Sequence, residues 1–514
     1  MAIEEIRHVP EADPADTPTG TPAGTGTGTE AASTGAADGT DTYADTTDSA
    51  PAAPSSGGTW AGVRPLLLRL HFYAGLLIAP LLFLAATTGL LYALSYQAEN
   101  LVYAHELTVD EVPAGAATRP LSEQVAAATA AAPSGEVLSV WPAPEREATT
   151  RVVMESPEAA EDRTLTVFVD PYTAEVRGQL ETSGDALPLR AWLSGLHANL
   201  QLGETGRIYS ELAASWMWVV ALGGAALWIG RRRKRRAELL LPDRSATGRR
   251  RTLSWHATVG LWATAGLVVL SATGLTWSTY AGENIGRVQD GLGGATPTVS
   301  AALDGAAAAG DEHAGHHGGG APAPTPKGPD VGLDRVLESA RAAGVDAYVQ
   351  ITLPSEGNGY VVKEKDKEFP VQFDAVAVDP ADGKVIDTLR FADHPLLAKL
   401  TRFGIDLHMG LTFGLVNQLA LAALALAVMF LVFWGYRMWW LRRPTKARTL
   451  SFGRPQPRGA WRKLPVTALL PLAAVTALVG WFVPLLGISL VVFLVVDLAL
   501  GFLARRKEAA TPAA

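Results

Sequence analysis

"SWHATVGLWATAGLVVLSATGLTW", residues 254–277, decides the fold. It is an apolar run longer than the roughly 20 residues a helix needs to cross a bilayer. Yet it opens on His256, and an ionisable side chain inside a membrane is costly unless it has a partner or a task. Working outward from this run, Leu253–Tyr280 reads as one span, and Leu66–Tyr96, Ile208–Gly230 and Leu415–Leu441 read as three more. Leu464–Val483 and Pro484–Leu503 read as a closing membrane hairpin. The chain is 48% hydrophobic and 18% charged, and its apolar residues fall in blocks, so it reads as an α-helical, multi-pass membrane protein.

The basic residues orient it. The loop 231–252 contains "RRRKRR" and "GRRR", the loop 442–463 is also rich in Lys and Arg, and the tail 505–514 begins "RRK". By the positive-inside tendency these lie in the cytoplasm of a cell whose plasma membrane the chain spans, with both termini inside. Residues 97–190 hold six Arg or Lys against sixteen Asp or Glu, and are expected outside. Residues 1–60 are rich in Thr, Gly, Ala and Pro, have Arg7 as their one Arg or Lys, and read as a disordered cytoplasmic tail rather than a signal peptide. Cysteine is absent, which excludes disulfides, thiolate ligands and iron–sulfur clusters but leaves histidine-held cofactors open. No P-loop, dinucleotide-binding glycine fingerprint or hydrolase motif is present, and nothing suggests nucleic-acid binding.

The sequence repeats itself. With His71 over His256, Gly75 falls over Gly260 and "TGL" at 88–90 over "TGL" at 273–275. With His197 over His408, Leu200 falls over Leu411 and Gly203 over Gly414. Between them "VDPYTAEV" (169–176) matches "VDPADGKV" (378–385). The expected organisation is a first span over 61–98, an exterior domain over 99–186, and a histidine segment with the second span over 187–230. The second copy has its span over 253–280, a flexible exterior linker over 281–330, a domain over 331–392, and a histidine segment with its span over 393–441. The hairpin takes 464–504. Each copy begins and ends inside, so the repeat is parallel, with a pseudo-twofold axis along the membrane normal. Each exterior domain reads as a helix on a small antiparallel sheet.

Four of the ten histidines obey the repeat: His71 with His256 near the inner face, His197 with His408 near the outer face. Gly75 and Gly260 lie four residues beyond the inner histidines, and Gly89 and Gly274 eighteen beyond, on the same helical face. A stripe of His and Gly clears room for a flat, bulky ligand, though glycines in spans also serve helix packing. Two imidazoles opposed across an axis suit the two axial positions of a haem iron, and two ligands per layer are too few for zinc. Arg207, after "GETG", fits either a haem propionate contact or an interface anchor. The run "HAGHHGGG", with His313, His316 and His317, reads as a metal-capturing tract or simply a solvated linker.

"RLHFYAGLLIAPLLFLAATTGLLY", "LSGLHANLQLGETGR" and the paired "VDP" hairpins resemble the PepSY-associated transmembrane proteins, which include iron-regulated membrane proteins and ferric-siderophore reductases. The resemblance covers roughly 60–445, and "LHMGLTFGLVN" is its looser part, with Asn417 where the first copy has Gly206. It implies two exterior PepSY domains on a helical bundle that carries two b-type haems on His71, His256, His197 and His408. It further implies electrons passed outward to ferric iron, as in the family's siderophore reductases, and the expected donor is quinol or a cytoplasmic reductase. A contrasting expectation is a non-enzymatic anchor whose exterior domains bind or restrain a peptidase or sensor partner.

Overall fold

The computed structural model describes residues 59–112, 114–160, 162–231, 237–303, 329–346, 348–442 and 458–509. The N-terminal tail and the "HAGHHGGG" tract lie outside the described residues. The first half runs α1 (Thr59–Leu77), α2 (Ala79–Val102), a turn of helix α3 (Ala104–Leu107), α4 (Leu121–Ala131), then β1 (Glu136–Trp141), β2 (Thr150–Glu155), β3 (Thr164–Val169) and β4 (Val176–Thr182). It returns through α5 (Pro188–Asn199) and α6 (Gly203–Ile229), and a short α7 (Ala237–Leu240) follows. The second half runs α8 (Gly248–Thr276), α9 (Tyr280–Gly291), α10 (Gly332–Ala342), β5 (Val349–Thr352), β6 (Tyr360–Glu364), β7 (Ala375–Val378), β8 (Val385–Leu389), α11 (Leu396–Met409) and α12 (Gly414–Trp440). Helices α13 (Val466–Phe482) and α14 (Pro484–Ala509) close the described chain.

Five of these helices are long and apolar enough to cross a membrane: α2, α6, α8, α12 and residues Pro484–Leu503 of α14. Helix α6 packs on α8, and α12 on α2 and α8. The run expected as one first span breaks at Ile78, between α1 and α2. The cause is Pro80, which has no N–H to give the carbonyl of Leu76 one turn back. That carbonyl is instead taken by the Tyr436 hydroxyl of α12, at 2.8 Å. The linker expected from 281 onward begins as helix α9, whose first amides, Tyr280 and Ala281, donate to the buried Glu211 carboxylate at 3.0 and 2.9 Å. Asp497 of α14, to which the sequence assigned no role, pairs with Arg69 of α1 and with Arg458, and ties the C-terminal hairpin to the bundle.

The strands form one sheet instead of two. Their order is β4-β3-β2-β1-β5-β6-β7-β8, antiparallel at every step, with the seam at Ser139↔Thr352 and Val140↔Ile351. Separate four-stranded sheets would leave β1 and β5 as open edges, and pairing removes both. Alternation along the strands sends Val140, Val152, Val167, Ile351, Val362 and Val376 to one face. There α4 and α10 cover them, with Leu121 and Val336 inside the shared core. The opposite face carries Trp141, with Lys365 Nζ 3.8 Å from its ring centre. Asp185, in the loop leading to α5, pairs with Lys365 and Lys367. Burial pushes the Asp185 carboxyl up, but the two ammoniums more than reverse this and hold it well below the usual carboxylate range. The sheet rests on one end of the bundle through contacts such as Phe369 N–H to Thr412 O, at 2.8 Å.

Candidate functional site

The four paired histidines sit in two layers. At the bundle end away from the sheet, His71 of α1 and His256 of α8 have ring centres 6.2 Å apart and planes at 75°. At the sheet end, His197 of α5 and His408 of α11 are 6.4 Å apart at 55°. On unbroken α8, His256 and Thr273, which touches His408, are seventeen residues apart, a rise of about 25 Å. The layers therefore stand near opposite ends of the spans.

Each ring is held in the same way as its counterpart. His71 Nδ1 meets the Val220 carbonyl of α6 at 3.0 Å, and His256 Nδ1 meets the Leu431 carbonyl of α12 at 3.1 Å. A carbonyl can only accept, so Nδ1 carries the proton and Nε2 keeps its lone pair. In the other layer Thr88 Oγ1 meets His197 Nδ1 at 2.9 Å, and Thr273 Oγ1 meets His408 Nδ1 at 2.7 Å. Both hydroxyls spend their single proton on backbone carbonyls, Leu84 O at 3.0 Å and Val269 O at 2.8 Å. They accept from the rings, and Nε2 is again the lone-pair nitrogen. Orienting an imidazole through Nδ1 so that Nε2 can bind a metal is how ligating histidines are ordinarily set. A metal held by one such nitrogen from each side places the ring centres about 6.2 Å apart, from metal–nitrogen bonds of about 2.0 Å and about 1.1 Å from nitrogen to ring centre. Both layers match this spacing. Among the described residues no group of three or more His, Asp or Glu could hold a metal ion. Two nitrogens at this ring spacing could hold a metal that brings its remaining donors with it, as in a macrocycle.

Glycine placement only partly follows the sequence reading. Gly75 and Gly260 do line the space beside His71 and His256. Gly89 and Gly274 lie instead against the other layer, where an added Cβ would come 3.1 Å from His197 Cε1 and 3.6 Å from His408 Cε1. Eighteen residues is five turns of an ideal helix, but at this distance along the spans a second histidine pair occupies the face. The inner rings have glycines of their own that the sequence reading missed, Gly224 and Gly435. A Cβ there would be 2.8 Å from His71 Cε1 and 4.0 Å from His256 Cε1. At the bend between α5 and α6, a Cβ on Gly206 would sit 1.6 Å from the Asn199 carbonyl. Its counterpart Asn417 solves the same bend differently, donating its amide to Leu407 O at 3.0 Å.

The layer away from the sheet opens into a cavity of about 420 Å³. Of its thirty lining residues, twenty-eight form fourteen pairs separated by either 185 or 211 positions, the same separations as the two histidine matches. Its far end is apolar, with Leu82, Leu267, Met217 and Val428. Its mouth carries Arg64, Arg249, Arg231 and Arg442. These arginines were also missed, although Arg64 and Arg249 each lie seven residues, two helical turns, before their histidines. Arg207 is half-buried at the start of α6 and is not among the lining residues. His313, His316 and His317 lie outside the described residues. Unpaired His105 bonds Arg177 at 3.0 Å, and His394 packs on Phe391, 5.2 Å between ring centres.

A search of curated proteins gives no match. The family model for the PepSY-associated TM region matches residues 68–442, from just before the first paired histidine to the last cavity arginine. This chain is a membrane protein that belongs to the PepSY-associated transmembrane family.

Proposed function

We propose that the chain binds two b-type haems, one on each histidine pair, and moves electrons across the plasma membrane to reduce ferric iron outside, held as a siderophore complex. The observation that carries this reading is the pair of histidine layers. In each, two rings already held through Nδ1 stand at the centre-to-centre spacing of a metal ligated from both sides. Haem would supply a one-electron ferric/ferrous couple at each layer. His71 and His256 would hold the inner group, and His197 and His408 the outer. Val220 and Leu431 carbonyls and the Thr88 and Thr273 hydroxyls fix the tautomers. Glycines at 89 and 224 keep the flanks of His197 and His71 clear.

The constant separations between paired residues support a parallel repeat about an axis along the membrane normal, and the continuous sheet supports two PepSY-like halves meeting at that axis. Lys and Arg distribution supports a sheet outside and a cavity mouth at the cytoplasm, where quinol or a cytoplasmic reductase would donate. At the outer layer, adding one electron to each ferric ion weakens its bonds to hard oxygen donors and releases it for uptake.

Protein purified from haem-replete cells should show a b-type absorption spectrum that dithionite reduces, and ferric siderophore should reoxidise it. His256→Ala should remove about half of the haem. A protein with no Soret band would sink this reading and leave the sheet as a docking platform for a peptidase or sensor partner.

A further inference from the structure

The cavity mouth has a feature that the histidine ligation leaves unexplained. Five helices line the cavity, α1, α2, α6, α8 and α12, and the rows contributed by four of them end in an arginine: Arg64 on α1, Arg231 just beyond α6, Arg249 on α8 and Arg442 just beyond α12. Arg64 and Arg249 share the separation of His71 and His256, while Arg231 and Arg442 share that of Gly224 and Gly435. Within the basic loops they form two symmetric pairs. Their guanidiniums are braced from below, Arg231 over the Trp228 ring at 5.5 Å and Arg442 over the Phe72 ring at 5.5 Å. The opposite end of the cavity is wholly aliphatic.

Resting on the haem reading above, we infer that this arginine quartet is a dicarboxylate clamp that fixes which way the inner macrocycle stands. An axis that exchanges His71 with His256 must lie within the plane of a ring ligated by both. That plane is then parallel to the spans, and one edge points to the mouth while the other points to the aliphatic end. A haem edge bearing two carboxylates cannot be buried against Leu82, Leu267, Met217 and Val428 without a large desolvation cost. Turned to the mouth, each carboxylate meets one arginine of each pair, and guanidinium forks match carboxylates bidentately. The same axis exchanges the two carboxylates, so ligand and protein share one symmetry. Four positive charges at the propionate edge also favour the reduced, less positive iron and raise the inner potential relative to a site without them.

The test uses the full-length chain purified without haem supply and reconstituted in parallel with haem and with haem dimethyl ester, whose carboxylates are blocked. Wild type should retain haem at least tenfold longer than the ester at the inner site. The variant carrying Arg64→Gln, Arg249→Gln, Arg231→Gln and Arg442→Gln should lose that preference and titrate at a lower inner potential, with the outer potential unchanged as an internal control. If it fails to insert, the double variant Arg64→Gln/Arg249→Gln should show a partial loss in the same direction. Arg→Lys at all four keeps the positive charge that orients the spans and should keep part of the preference, which a purely topogenic role would not distinguish. Equal retention of haem and ester by wild type, or unaltered preference and potential in the Gln variants, overturns the clamp while leaving histidine ligation intact. Uptake of neither porphyrin by wild type overturns both.

Discussion

Gly224→Ala is the smallest change that separates the ligation reading from a purely structural one. The added Cβ would lie 2.8 Å from His71 Cε1 and 3.4 Å from its Nδ1. Carbon atoms settle at about 3.5–4.0 Å, so the ring must retreat by about 0.7 Å or more. Its bond to the Val220 carbonyl, at 3.0 Å, has only about 0.2 Å of slack before it leaves the ordinary range. The ring therefore moves off its hydrogen bond or off its line to His256. Losing the bond costs about 1 kcal/mol, while alanine gains about 1 kcal/mol over glycine in a helix interior. Net folding stability should barely change, and only the ligand geometry is disturbed. Gly435→Ala is the matched control, because its Cβ would make an ordinary contact at 4.0 Å from His256 Cε1. The assay is the haem-to-protein ratio of purified protein, alongside its thermal unfolding. We expect a fall from two towards one for Gly224→Ala and no change for Gly435→Ala. A Gly224→Ala protein with the wild-type ratio and spectrum would refute the idea that His71 must hold its observed position to ligate.

Three other expectations concern the scaffold. Tyr436→Phe should cost about 1 kcal/mol by orphaning the Leu76 carbonyl that Pro80 leaves free, and Pro80→Ala should largely remove that cost by restoring the helical bond, as a double-mutant cycle of unfolding would measure. Asp497→Ala should loosen the hairpin by removing the carboxylate that Arg69 and Arg458 share, at a cost of about 1 kcal/mol, read as faster proteolysis of α14. Asp185→Asn should lower the melting temperature of the sheet near neutral pH. Because the folded carboxyl titrates below its unfolded value of about 3.9, its contribution is complete above that value and fades as pH falls towards the depressed one. The difference between Asp185→Asn and wild type should therefore shrink on acidification below about pH 4, and a difference that grows instead would contradict the ion pairs.

Much of the molecule is legible along the chain because the signals are local. Hydropathy over about 20 residues locates helices whose backbone bonds are all internal, and residue spacing in two aligned segments picks out His71, His256, His197 and His408 without knowledge of contacts. Strand alternation at 136–141 or 164–169 is likewise a property of a few consecutive residues. What failed to show there depends on partners far away in sequence. Pro80 is visible, but the break it makes is tolerated because Tyr436 arrives from α12 to satisfy Leu76. Gly89 falls on the face of His71 in an unbroken ideal helix, yet which histidine fills the space beside it is decided by where α5 packs. The sheet seam at Val140↔Ile351 has no local signature, since an edge strand looks the same whether or not another edge meets it.

The sequence by itself determined that this is a membrane bundle with histidines matched in two pairs, since composition and periodicity follow from each segment's own solvent. Only the tertiary structure decided that Nδ1 of every paired ring is tied down, that the eight strands make one sheet, and that four arginines share the mouth of one cavity. Those features are relations between helices, set by packing across the bundle, and no single stretch of chain contains them.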